Sequence, residues 1–84
     1  MEVGNSKTVR YEIVEETGFS HGLGEYYTYG IKAEEISEDV VVESYVLNDV
    51  TTDEDEAREL VQLFTEEQLE IIHFKDVVEE RIGM

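Results

Sequence analysis

The chain has 84 residues, 22 acidic and only 6 basic, for a formal net charge of −16 at pH 7. That length makes one small domain near the lower limit of folding without covalent staples, and the lack of cysteine excludes disulfides and thiolate metal sites. A surface this acidic repels nucleic acid and anionic lipid and favours cations or basic partners.

The charge is also lopsided. Residues 1–33 hold five acids against three bases, whereas residues 34–84 hold seventeen against three, and the densest point is Asp53-Glu54-Asp55-Glu56. A hydrophobic fraction of 40% supports a modest core, and its periodic blocks set the chain apart from a disordered acidic tail. No stretch approaches the ~20 apolar residues that span a bilayer. Residues 1–7 lack the basic and apolar regions of a signal peptide and read as a flexible N-terminus of a cytoplasmic protein. Repulsion among the acids opposes compaction, so added chloride should raise the thermal midpoint. A midpoint that falls between low and moderate salt would contradict this.

Thr8 to Glu16 alternates, with Val9, Tyr11 and Ile13 on one side and Arg10 and Glu12 on the other, which is the pattern of a half-buried strand. Gly18 to Gly24 reads as a glycine-punctuated loop. Tyr26 to Glu34 alternates again, placing Tyr27, Tyr29, Ile31 and Ala33 opposite Thr28, Gly30 and Lys32. Glu35 to Asp39 reads as a polar turn. Val40 to Val50 forms a third strand with apolar residues on both faces.

Helical spacing begins after the acidic run, at Ala57, Leu60, Val61 and Phe64, and predicts a helix over about Asp53 to Thr65. Thr51 with Glu54 fits a capping box, and the acids suit the positive end of the helix dipole. Extending the Leu60/Phe64 stripe lands on Gln68 and Lys75, while the apolar positions move to Ile71, Phe74, Val78 and Ile82. The phase slip predicts a break near Glu66 to Leu69, then a second helix from about Glu70 to Ile82 with Gly83 as terminator. Residues 8–50 therefore form a three-stranded antiparallel β-meander. Residues 51–84 add two helices packed on one sheet face, an α+β fold.

Candidate chemical sites are few. The acidic run fits no EF-hand register: starting at Asp49 the glycine position is Glu54, and starting at Asp53 it is Arg58. Helix capping explains the run without a ligand. Glu70-x-x-His73 occurs once, whereas di-metal bundles need the motif twice, and His73 with Asp76 suits a helix-surface pair. Ser20 and His21 are adjacent and lack an orienting third group, and Gly18-x-x-x-Gly22-x-Gly24 lacks the lysine of a phosphate loop. The six bases are scattered and form no phosphate footprint. The chain is thus expected to be neither an enzyme nor a cofactor, metal or nucleic-acid binder.

The segments Tyr29-Gly30-Ile31, Asp49-Val50-Thr51-Thr52-Asp53 and His73-Phe74-Lys75-Asp76-Val77-Val78-Glu79-Glu80 resemble a family of small bacterial proteins of unknown function, clostridial in type. The resemblance spans about residues 29–82. It implies a bacterial cytoplasmic origin and a break before the second helix, and it transfers no activity.

The expected role is recognition. Tyr26, Tyr29 and Tyr45 are the candidate apolar contacts, and Asp53, Glu54, Asp55 and Glu56 the candidates for steering a basic protein partner. Self-association through a sheet edge or a tyrosine-bearing face is one form of that contact. The alternative is a nucleic-acid mimic that inhibits a basic DNA-binding protein.

Overall fold

Alternating patterns become strands that run further than the apolar residues alone mark. The computed structural model describes residues 7–22 and 24–82. Its elements are β1 (Lys7–Ser20), β2 (Gly24–Ser37), β3 (Val40–Thr51), α1 (Glu54–Glu67) and α2 (Ile71–Ile82). The strands form one antiparallel sheet in the order β1-β2-β3. Both helices pack on the face that carries Val9, Tyr11, Ile31 and Ala33, with α1 over β1 and β2 and α2 over β3 and β2. This is the α+β meander expected from the sequence.

Three boundaries differ from expectation. Gly18, Phe19 and Ser20 belong to β1, which pairs with β2 as far as Ser20↔Gly24. Gly18 stays in the strand because the Tyr26 ring of the paired strand covers it: a Cβ there would lie 2.6 Å from that ring. The turn over Glu35 to Asp39 shrinks to Glu38 and Asp39, both left-handed at φ 52° and 67°. Two positive-φ residues in a two-residue hairpin match the right-handed twist of the flanking strands. Glu35 and Ser37 remain in the ladder opposite Val9 and Lys7, since pairing with a neighbour sustains a strand through polar residues. Lys7, expected in a flexible terminus, opens β1 and lies 3.6 Å from Glu35. The other expectations for the termini, over residues 1–6 and at Gly83, lie outside the described residues.

β3 carries two irregularities. Its register moves from Tyr29↔Thr51 to Ile31↔Leu47, so Asn48, Asp49 and Val50 together face Gly30. The bulge brings β3 backbone against Gly30: an added Cβ would sit 2.4 Å from the Leu47 carbonyl oxygen. Only glycine admits that approach. Asp49 takes φ 54° in the bulge, and its carboxylate accepts the Thr28 hydroxyl at 2.6 Å. A second shift, from Glu35↔Glu43 to Ile36↔Val41, leaves Val42 as the extra residue.

The cap of α1 is Asp53, not Thr51. Its carboxylate accepts the backbone N–H groups of Asp55 at 3.0 Å and Glu56 at 3.4 Å. Thr51 acts one step back, accepting the Asp53 N–H at 3.1 Å and donating its hydroxyl to Glu56 at 2.7 Å. The capping box is therefore centred two residues later, relayed through a hydroxyl. α1 ends where Gln68 adopts φ 50° and Leu69 N–H donates to the Phe64 carbonyl at 3.1 Å.

That break lets two apolar stripes reach one core. Phe64 and Phe74 are fully buried, and both rings pack against Tyr11, at centroid distances of 5.4 and 5.3 Å. The Tyr11 hydroxyl donates to the Leu69 carbonyl in the link between helices. Burial pushes the Tyr11 phenol up to about 12 from 10.0. Its folded value exceeds its unfolded one, so the stabilisation is complete below pH 10 and is lost as pH climbs towards 12. Tyr11→Phe should cost about 1 kcal/mol at neutral pH and flatten this alkaline fall in urea titrations. An unchanged alkaline limb would contradict the assignment.

Candidate functional site

The predicted steering acids prove largely occupied with local structure. Asp53 caps α1, Glu56 accepts from Thr51, and Glu54 pairs with Arg58 one turn on at 2.6 Å. Asp55, also in the first turn, is exposed. Together these carboxylates sit at the positive end of the helix dipole.

The predicted contact tyrosines do not share a face. Tyr26 lies on the helix-free side over Gly18. Tyr29 lies on the helix side, paired with Thr51, where partial burial and then the Glu54 and Glu15 carboxylates hold its phenol above the ordinary value. Tyr45 stands edge-on to Phe74 at 6.0 Å and remains 38% exposed. Tyr45 joins the apolar residues exposed along β3, and Tyr29 shares a strand face with Tyr27, which is 62% exposed.

The two histidines belong to separate elements. His21 lies at the first hairpin turn, its ring 5.9 Å from that of Phe19, and His73 lies exposed on α2 with its backbone N–H donating to the Glu70 carbonyl at 3.0 Å. Among the described residues no three His, Cys, Asp or Glu side chains gather as a metal site. No described helix is long and apolar enough to cross a membrane.

The helix-free face carries an ion-pair cluster. Arg10 donates from Nε, at 3.2 Å, and from Nη2 to one oxygen of Glu34, while Lys32 lies 3.4 Å from the other. Arg10, mainly through this hydrogen bonding, holds the Glu34 carboxyl below its ordinary value. Arg10 pairs directly across from Glu34, Lys32 lies two residues along β2, and every buried side-chain N or O among the described residues has a partner. The cluster is paired within the sheet.

The sheet edges differ sharply. Along β1, the Gln68 carboxamide accepts the Val9 N–H at 3.0 Å and returns an N–H to the Val9 carbonyl at 3.0 Å. A side chain thus plays the part of a neighbouring strand, and a second bond to the Thr65 carbonyl at 3.0 Å fixes it. Gln68→Ala should cost about 1–2 kcal/mol in urea unfolding. Gln68→Glu should be no better at pH 7, since a carboxylate faces the Val9 and Thr65 carbonyls. A loss under ~0.3 kcal/mol for either would contradict this role.

Along β3 no strand or side-chain amide plays that part among the described residues. Most of the exposed large apolar residues lie there, Val40, Val41, Val42, Tyr45 and Val46 from β3 with Ile72 of α2 at 73% exposure, whereas Phe19 and Tyr27 stand exposed on the β1–β2 hairpin. A hollow between edge and helix is lined by Glu43, Tyr45, Ile71, Ile72, Lys75 and Asp76. Sequence reading singled out Tyr45 but missed Val42, Val46 and Ile72. The signal was present in Val40-Val41-Val42, a β-branched run that two helices packed on one sheet face do not cover on both sides.

No curated protein and no solved structure matches the chain. The remaining comparison covers more than the segments from 29 to 82 on which the resemblance rested: residues 1–84 match DUF6514, a family of unknown function, and the chain belongs to that family.

Proposed function

We propose that this chain is a non-catalytic recognition module, an adaptor or regulator of a basic protein, acting in the bacterial cytoplasm. One observation carries the reading: most of the exposed large apolar residues, Phe19 and Tyr27 apart, cluster on or beside an open strand edge of a chain with a net charge of −16. Apolar area supplies the contact, and the acidic field selects and steers a partner of opposite sign. The bacterial and cytoplasmic placement rests on the resemblance of the segment from His73 to Glu80.

The mimic reading has less support, because Asp53, Glu54 and Glu56 each have a partner within the chain. A nucleic-acid mimic needs carboxylates free to stand in for phosphates.

Affinity capture from native cells tests the proposal. The wild-type chain should retain a Lys/Arg-rich protein that moderate salt releases and that a Val42→Lys, Ile72→Ser variant fails to retain. Retention of the same protein by the variant, or of acidic proteins only, would contradict it.

A further inference from the structure

The outer edge of β3 and the hollow beside it form one strip. We infer that β3 accepts an extended, basic peptide segment as a fourth strand, seating one apolar side chain between Tyr45, Ile71 and Ile72 and pairing a Lys or Arg with Glu43 or Asp76. This rests on the recognition reading above and gives the partner its chemistry.

The edge supplies the backbone half of the contact. A strand at the end of a sheet presents alternate N–H and C=O groups outward, a template for strand addition. β1 has that template occupied at Val9 by Gln68, with Lys7, Arg10 and Glu12 alongside as charged residues that discourage pairing. Between Val40 and Leu47, β3 has only Glu43 and the bulge at Val42 to set against pairing. An exposed apolar edge of this kind is an aggregation hazard unless something binds it.

The side chains supply the specificity. Side chains of an added strand alternate between faces. Those on the helix side fall towards the hollow, where Tyr45, Ile71 and Ile72 offer apolar surface and Glu43 and Asp76 offer negative charge. Lys75, the one base in the hollow, lies 3.9 Å from Glu79, its partner one turn on. Those on the opposite face meet Val42 and Val46, 54% and 40% exposed.

Charge selects the occupant. A second copy brings another sixteen negative charges, and antiparallel self-pairing centred on this stretch sets each Glu43 close to its counterpart. A basic segment meets attraction along its whole approach.

Synthetic peptides of about eight residues, alternating Val/Lys, Ile/Arg or Tyr/Lys, provide the probes, with a Val/Glu peptide as control. They are titrated into the full chain by fluorescence anisotropy, with amide exchange read by NMR. The expected result is saturable binding of basic peptides only. New amide protection should be confined to β3 between Val40 and Leu47, and affinity should fall by about tenfold or more in Val42→Lys, Ile72→Ser. Both sites are exposed, so an unchanged thermal melt verifies that the variant folds.

Binding that survives in that variant but vanishes in Asp53→Asn, Glu54→Gln, Asp55→Asn, Glu56→Gln would overturn the edge site and leave the basic-partner reading standing. Dimerisation seen by light scattering and lost in Val42→Lys, with no peptide bound, would overturn it in favour of a second copy. A monomer that binds none of the basic peptides would overturn this inference, and capture of a Lys/Arg-rich protein in the preceding experiment would still uphold the recognition reading.

Discussion

Replacing Phe74 with alanine should bring the protein to the edge of unfolding. Phe74 has no exposed surface, and its ring meets Tyr11 at 5.3 Å, Phe64 at 6.0 Å and Tyr45 at 6.0 Å. It is the point where β1, β3, α1 and α2 touch one another. Truncating a buried phenylalanine costs about 3–5 kcal/mol, because the transfer energy is lost and the cavity collapses only in part. A domain of this length has roughly 4–12 kcal/mol in all. The variant should therefore show a much lower urea midpoint and a weakened near-ultraviolet signal from its tyrosines. Ile72→Ala, two residues away but 73% exposed, should leave the midpoint nearly unchanged. A Phe74→Ala loss under ~1.5 kcal/mol would mean that the four-ring cluster is not the centre of the core.

Gly30→Ala should have the second-largest effect. The added methyl would start 2.4 Å from the Leu47 carbonyl oxygen, a backbone atom inside a bulge. A side chain can swing aside, whereas this carbonyl moves only if β3 shifts. Overpacking of this kind costs about 1–3 kcal/mol, and the fixed obstacle places Gly30→Ala at the upper end. Gly22→Ala is the control, since a methyl there meets nothing within 4 Å. Gly18→Ala should fall between them, because the obstruction is the far end of the Tyr26 ring. Urea unfolding ranks the three, and loss of the Ile31–Leu47 cross-strand contact by NMR would show β3 changing register. Equal stability of Gly30→Ala and Gly22→Ala would contradict the close approach.

Element types and their order were legible because periodicity survives in a short chain. Val9, Tyr11, Ile31 and Ala33 repeat every second residue and line the core; Leu60, Phe64, Phe74 and Val78 follow helical spacing and meet them. The phase slip at Gln68 announced the helix break, since a straight helix could not turn both stripes to one sheet. Strand ends were not legible. Cross-strand pairing holds Phe19, Ser20, Ile36 and Ser37 in the ladder whatever their own pattern says. Nor was the function of Gln68: a polar residue at an expected core phase reads as a break, and only coordinates show its amide against Val9. The candidate site was half legible. Tyr45 stood out by type, but Tyr26 and Tyr29 went to other places, and the acids from Asp53 to Glu56 largely serve the helix start. Exposure of Val42, Val46 and Ile72 depends on what the helices fail to cover, which is a property of packing and not of spacing.

The contrast between the edge position occupied at Val9 and the open edge of β3 is best tested by native-state amide exchange on the free chain. The Val9 amide should be strongly protected and become fast in Gln68→Ala. Roughly half of the amides between Val40 and Leu47, those turned away from β2, should exchange as freely as an unstructured chain. Uniform protection along that stretch, unaltered by dilution, would show that the edge is already covered and would contradict recognition through β3.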